Sequence, residues 1–452
     1  MTGAARRSAT TGRLGWPSAC GGVRFTLVAC AALMLAVPAS ASAAAPVRLA
    51  SEPTHVRLGP VVEVSRGCAG QNAEVEQAVD YPYVYETWIG CDGIGFARST
   101  DGGRSFERPR RVPGSAGHGT WRIGNAFFPT KGWDPAVTVA RDGTVYVSYM
   151  TRKRPYMHPV VAVSADHGAS FTRVAQVMPP AQHKVNWADR SFIAVAPDGT
   201  IYLTWTYGQS ARQILTGRGT ARVVLQSSAD GGKTWSGITP VSRKFLGGAI
   251  AFLLVEPDGR IDVLMWAGHH DYFTSSQDGG RSWSKPVAVQ PGVGRINSPP
   301  VYWIDTALGI DAGGTLYATW DTQRPDGDIG WLSYSTNHGK TWSAARRVTP
   351  DHGNAGHIMT VAGGQPGIAY LGWLSLHSRR GFSQYLRPFS VHRGWLTAPI
   401  RVSRKSGNPK IWPGDTIGIS VTRGHGRPRV MVSWGSAVSD RLSQIWTTSV
   451  TG

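Results

Sequence analysis

The pattern Ser-x-Asp-x-Gly-x-x-Trp/Phe occurs five times in the 452 residues of this chain. It starts at Ser99 ("STDGGRSF"), Ser164 ("SADHGASF"), Ser228 ("SADGGKTW"), Ser276 ("SQDGGRSW") and Ser335 ("STNHGKTW"), with a fainter relic, "SVHRGW", at Ser390. A repeated short motif marks an array of similar supersecondary units, which restricts the fold more than any other feature here. Each part has a mechanical use. The Asp carboxylate accepts backbone N–H groups and holds a hairpin turn. The second Gly reaches positive φ without steric cost. The aromatic ring packs on neighbouring strands. The fifth copy places Asn337 where the others have Asp, and an amide caps a turn but cannot act as a general acid. Asp101, Asp166, Asp230, Asp278 and Asn337 are therefore read as structural. With 56 Gly, 29 Pro, 18 Trp and 17% charged residues, and no long run at helical spacing, the composition suits an all-β chain rich in tight turns.

A second repeat counts the units. Alternating strands that end in an aromatic residue close at Trp88, Tyr149, Trp205, Trp266, Trp320, Trp373 and Trp434. The six intervals span 346 residues, about 58 each, the length of a four-stranded propeller blade with generous loops. Each unit reads as strand 1, a turn such as "PDGT", the aromatic strand 2, a loop, strand 3, the Asp motif and strand 4. The last unit lacks a fourth strand, whereas "PVVEVS" (60–65) is a spare strand at the other end. Pairing the two would close a ring of seven blades and hide a sheet edge.

The Asp motif resembles the Asp box, or BNR repeat, of the sialidase superfamily, and the resemblance extends through the repeats of the mature chain. It implies a β-propeller and leaves the activity open, because Asp boxes also occur in propellers that are not sialidases. Catalytic sialidases have six blades, so six is the alternative ring size. Their chemistry uses three arginines on the substrate carboxylate, an acid/base Asp, and a Tyr nucleophile assisted by Glu. The first of those arginines belongs to an Arg-Ile-Pro motif. That motif is missing here: the corresponding region reads "GQNAEVEQAVD", and "RIG" at 122 and "RIN" at 295 differ from it. Glu occurs only seven times. Glu256 falls on the Asp-box face, and only Glu74 and Glu76 could face the channel mouth.

Propeller geometry puts the 1–2 turns and Asp boxes on one face, and the 4–1 connections and 2–3 loops on the other. Four of the 4–1 connections carry a Trp followed closely by an Asp: Trp133 and Asp134, Trp187 and Asp189, Trp303 and Asp305, Trp412 and Asp415. These aspartates are the candidate catalytic acids, since carboxylates crowded at one mouth push each other's pKa up. The competing reading is a latch, with each Asp bonded to the next blade's backbone. Trp133, Trp187, Trp303 and Trp412 are candidate sugar-stacking residues. Arg122, Arg190, Arg295, Arg379 and Arg380 on the same face are candidate ligands for carboxylate or sulfate groups.

The N-terminus carries arginines at 6, 7, 13 and 24, an apolar run at 25–37 and small-residue cleavage sites at Ala43 and Ala45. Residues 1–45 read as a signal peptide and 46–452 as one propeller domain, exported by the Sec or twin-arginine route. The 13-residue apolar run is too short for an anchor, which argues against stable membrane insertion. Cys20 and Cys30 leave with the signal, and Cys68 and Cys91 are expected to form a disulfide across the seam where the ring closes. The net charge of +19 falls to about +15 once the four signal arginines are removed. An exported protein this basic points to an acidic glycan or cell-wall polymer as partner rather than nucleic acid, and to a monomer. No zinc motif, nucleophile elbow or phosphate loop is present, so no cofactor is expected, and nothing supports Ca2+ at the aspartates. Two classes of function stay open: a glycan-active hydrolase or lyase, and a non-catalytic binding or scaffold propeller.

Overall fold

The protein is described here from a computed structural model covering residues 56–451, apart from 117–119, 124–125, 130–131, 154–155, 179–186, 209–219, 247–249, 268–269, 290–305, 323–328, 351–354, 378–380, 423–427 and 439–441. Seven antiparallel sheets form a seven-bladed β-propeller, with no helix among the described residues. The inner strands are Ala73–Asp80, Trp133–Val139, Trp187–Val195, Ile250–Val255, Ala307–Ile310, Ala355–Gly363 and Gly418–Thr422. A separate hairpin, Thr120–Ile123 with Ala126–Pro129, precedes the second blade and carries Arg122. The segment 1–45 lies outside the described residues.

The ring closes as the spare strand requires. Gln444–Thr451 pairs with Arg57–Leu58 and Val62–Glu63, which supply the outer edge of blade seven. The chain then turns into blade one, and Cys68 is bonded to Cys91 there. Cys91 and Asp92 form the two-residue turn between strands 2 and 3 of blade one, both at positive φ, as the right-handed twist of a tight hairpin demands.

The aromatic ends of the second strands form the cores between blades. Trp88, Trp205, Trp320, Trp373, Trp434 and Tyr149 are among the largest fully buried side chains. The boxes lock adjacent blades. In the third, Asp230 Oδ1 accepts from the backbone N–H of Lys233 and Thr234, both at 2.9 Å, and Oδ2 accepts from Thr234 Oγ1 at 2.6 Å. Asn337 keeps the same turn, accepting from Thr341 N at 3.0 Å and donating to Thr341 Oγ1 at 2.8 Å. Arginines of the preceding blade clamp box carbonyls: Arg429 on Gly102, Arg98 on Asp166 and His167, Arg110 on Gly168 and Ala169, and Arg173 on Gly231. Part of the basic charge is thus spent inside the fold.

Candidate active site at the mouth of the ring

Four inner strands share a bulge that their sequences do not announce. Glu74, Asp134, Arg190 and Ile358 each sit at positive φ, between 46° and 55°. Each lies where the register slips opposite the aromatic end of strand 2: Trp88, Tyr149, Trp205 and Trp373. A bulge inserts a residue and re-aims its side chain. A non-glycine residue there costs of order 1–3 kcal/mol and persists where the surroundings over-determine it. The structural counterpart of Asp134 is therefore Arg190, not Asp189. The repeated Trp–Asp spacing in the sequence does not correspond to one repeated position in the fold.

In blades one to three the bulges, with Asp189 and Asp415, build one cluster. Asp134 Oδ2 accepts from Arg190 N at 2.9 Å, and the Glu74 and Asp189 carboxyls both hydrogen-bond to Asp134. The Arg190 guanidinium lies 3.5 Å from Asp415 Oδ2. Trp412 Nε1 donates to Asp415 Oδ1 at 2.8 Å. Behind it, Gln71 Nε2 donates to the Trp412 carbonyl at 2.7 Å, while Gln71 Oε1 accepts from Ser443 N at 2.9 Å. The segment that closes the ring therefore also delivers Glu74. Gly414, at φ 115°, lets the blade-seven loop run against the Glu74 backbone, where a Cβ would collide with Glu74 N and Cα.

The electrostatics separate the three acids. Burial, then the charges of Asp134 and Asp415, push Glu74 well above the usual carboxylate range. Burial and Asp134 do the same to Asp189. Burial alone would raise Asp134 too. The Arg190 charge, the hydrogen bond from Asp189, the Arg190 N–H and the bond from Glu74 outweigh it and hold Asp134 below its ordinary value. The shifts favour the proton on Glu74 and Asp189 and the negative charge on Asp134, which is how one fold can keep acid and base forms side by side. Glu74 is 4% exposed and its Oε2 is buried without a hydrogen-bond partner. Asp134, Asp189 and Asp415 are half-buried.

The structure thus brings together Asp134, Asp189, Asp415 and Arg190, and adds Glu74. Both readings of the sequence have a counterpart in the geometry, because Asp134 bonds the next blade's backbone while it sits within an acid cluster. Trp412 is buried and tied to Asp415, and Trp133 packs partly buried between blades. Trp187 and Arg122 lie on strands, Trp187–Val195 and Thr120–Ile123. Arg295, Trp303, Asp305, Arg379 and Arg380 fall outside the described residues. The sequence signal for Glu74 is its place beside the mouth; nothing in the sequence joins it to Asp134.

Seven four-stranded blades, box turns between them and a one-sided acid cluster at the mouth define a BNR-type propeller. The model of the BNR repeat-like domain matches residues 123–297, and the BNR/Asp-box repeat matches 333–344. The chain is a seven-bladed β-propeller with BNR-type repeats. Its fold is shared with a protein of unknown function from Dyadobacter fermentans (16% identity, 71% of this chain and 94% of that one, TM-score 0.50). An ulvan lyase from a new family of polysaccharide lyases, solved with a GlcA–Rha3S saccharide bound, is similar over 86% of this chain and 95% of its own (13% identity, TM-score 0.55). The NanB sialidase of Streptococcus pneumoniae aligns over 89% of this chain and 99% of its own (10% identity, TM-score 0.48). No curated protein matches the chain in sequence.

Proposed function

We propose that this is an exported glycan-active enzyme that cleaves glycosidic bonds in anionic carbohydrate by acid–base chemistry at the channel mouth. The observation that carries the reading is the hydrogen-bonded contact of the Glu74 and Asp189 carboxyls with Asp134, with Arg190 beside them; burial raises the two outer acids while Arg190 and the hydrogen bonds lower Asp134. Asp189, half-buried beside Asp134, is the proton donor to the leaving glycosidic oxygen. Asp134 is the base that accepts a proton from water or from the sugar ring. Glu74 lies behind Asp134 and positions it, and Arg190 offers positive charge to an acidic sugar. The cluster draws on blades seven, one, two and three, and this one-sidedness favours a reaction site over a ring of equivalent latches. The similar ulvan lyase supports uronic-acid polymers as one substrate class, alongside sialosides.

The test is product release from sialosides and from uronic-acid polymers, measured for the wild type, Asp189→Asn and Asp134→Asn. General acid–base groups typically contribute 10²–10⁴-fold, so each variant should lose about that much while its Tm stays close to the parent. A folded wild type that binds these glycans and releases no product from either class would favour the binding-module reading instead.

A further inference from the structure

The outer wall of the ring carries charge that the mouth does not use. Every outer-edge segment, from the 57–66 stretch of blade seven round to the 395–405 stretch of blade six, holds at least one Arg or Lys. Against them, those segments contain only Glu63 and Glu107. One charge per exposed edge is enough to discourage edge-to-edge pairing. Blades two and four meet that need with Arg173 and Lys285 alone, and blade three, between them, carries Arg243 and Lys244. Blades five, six, seven and one each carry two or more and are consecutive round the ring, so their charges form an unbroken arc. Arg346, Arg401, Arg404, Lys405, Arg57 and Arg108 are all exposed there. None of the six has a carboxylate partner among the described residues. Glu74, Glu86, Glu256, Asp262, Asp271, Asp311 and Asp321 are meanwhile buried, so the surface is more basic than the overall composition suggests.

We propose that this arc is a docking track for a flexible, linear acidic polysaccharide, separate from the mouth. Its shape selects the partner. An arc over four of seven blades bends round more than half of the ring, and a planar bilayer could touch only one or two of those edges. Duplex DNA, with a persistence length of about 50 nm, bends that tightly only at a cost. Single-stranded nucleic acid is held by stacking on exposed aromatic rings interleaved with the charges. Among the described residues the large exposed apolar side chains are Leu58, Tyr81, Val174 and Leu442, and the aromatic one of these, Tyr81, lies off the outer edges. A polyuronate chain needs only spaced cations.

The full mature chain should be titrated with long polygalacturonate, with a short galacturonate oligomer and with phosphatidylglycerol vesicles, across a range of salt. Because the polymer can contact several blades at once, it should bind at least tenfold more tightly than the oligomer, with log affinity falling linearly against log salt. Arg401→Gln/Arg404→Gln/Lys405→Gln should flatten that slope and weaken polymer binding several-fold, and leave any cleavage of the short oligomer unchanged. The proposal is overturned by equal affinity for polymer and oligomer, by an unchanged salt slope in the triple variant, or by vesicles binding as tightly as the polymer. Loss of cleavage in Asp189→Asn with polymer binding retained would separate this track from the mouth.

Discussion

At the scale of single residues, one carboxylate has two different lives in this fold. The box aspartates are solvent-facing and saturated with donors. Hydrogen bonds from Thr234 and Ser228 hold Asp230 far below its ordinary pKa. Asn337 shows that the turn needs acceptor geometry rather than charge. Asp230→Asn should therefore leave mouth activity intact and lower Tm less than Asp230→Ala, by differential scanning calorimetry. A folded Asp230→Asn protein without activity would contradict the structural role. This role was legible because the motif contains its own substitution experiment. The mouth was less so: Asp134, Asp189 and Asp415 stand out in the sequence beside their tryptophans. The bulges that place Glu74 and Arg190 among them do not, because positive φ at a Glu, Asp or Arg leaves no residue signature.

Among elements, the blade seams show where the pattern breaks. Tyr85, Tyr146, Tyr202 and Tyr317 each pair with the residue before the box serine, and blade four has Asp262 at that place in the register. Asp262 is fully buried near Glu256, Arg260 and Asp258, while His338 from the box of blade five bonds Glu256 at 2.8 Å. Burial first, then the Glu256 charge, pushes Asp262 up to about 10. A raised carboxylate pKa means that the folded state prefers the protonated form. The stabilisation is complete below the unfolded value of about 4 and is lost as pH rises toward 10. Glu86 repeats the effect at the seam between blades seven and one. Burial drives it up to about 7, even though Ser433, Thr447 and Gln77 bond it. Tm should accordingly fall between pH 5 and pH 9, and Asp262→Asn should flatten the fall. A variant whose Tm still follows the wild-type pH curve would contradict this account. The break in the tyrosine column is visible in the sequence, but its consequence depends on the neighbour that His338 and Glu256 bring to it.

For the whole molecule, closure was the most legible feature. A missing fourth strand, a spare one and two cysteines near the seam pointed to one arrangement, since an open sheet edge is a liability. The Cys68–Cys91 bond spans 23 residues and lies beside the strand that carries Glu74. A loop of that size is worth roughly 3 kcal/mol in the chain-entropy model. Reduction should lower Tm and promote aggregation through the freed Gln444–Thr451 edge, and light scattering on heating checks this. Because Gln71, Glu74 and Trp412 share that seam, the same closure that completes the ring also sets the acid cluster. The most direct test of that cluster is infrared difference spectroscopy at pH 7 between wild type and Asp189→Asn, with Glu74→Gln as a second comparison. Each variant should lose intensity in the protonated-carboxyl band, because burial and the neighbouring charges favour the proton on both side chains. Spectra that coincide in that band and differ only in the carboxylate region would show these acids ionised, and would contradict an acid–base centre built around Asp134.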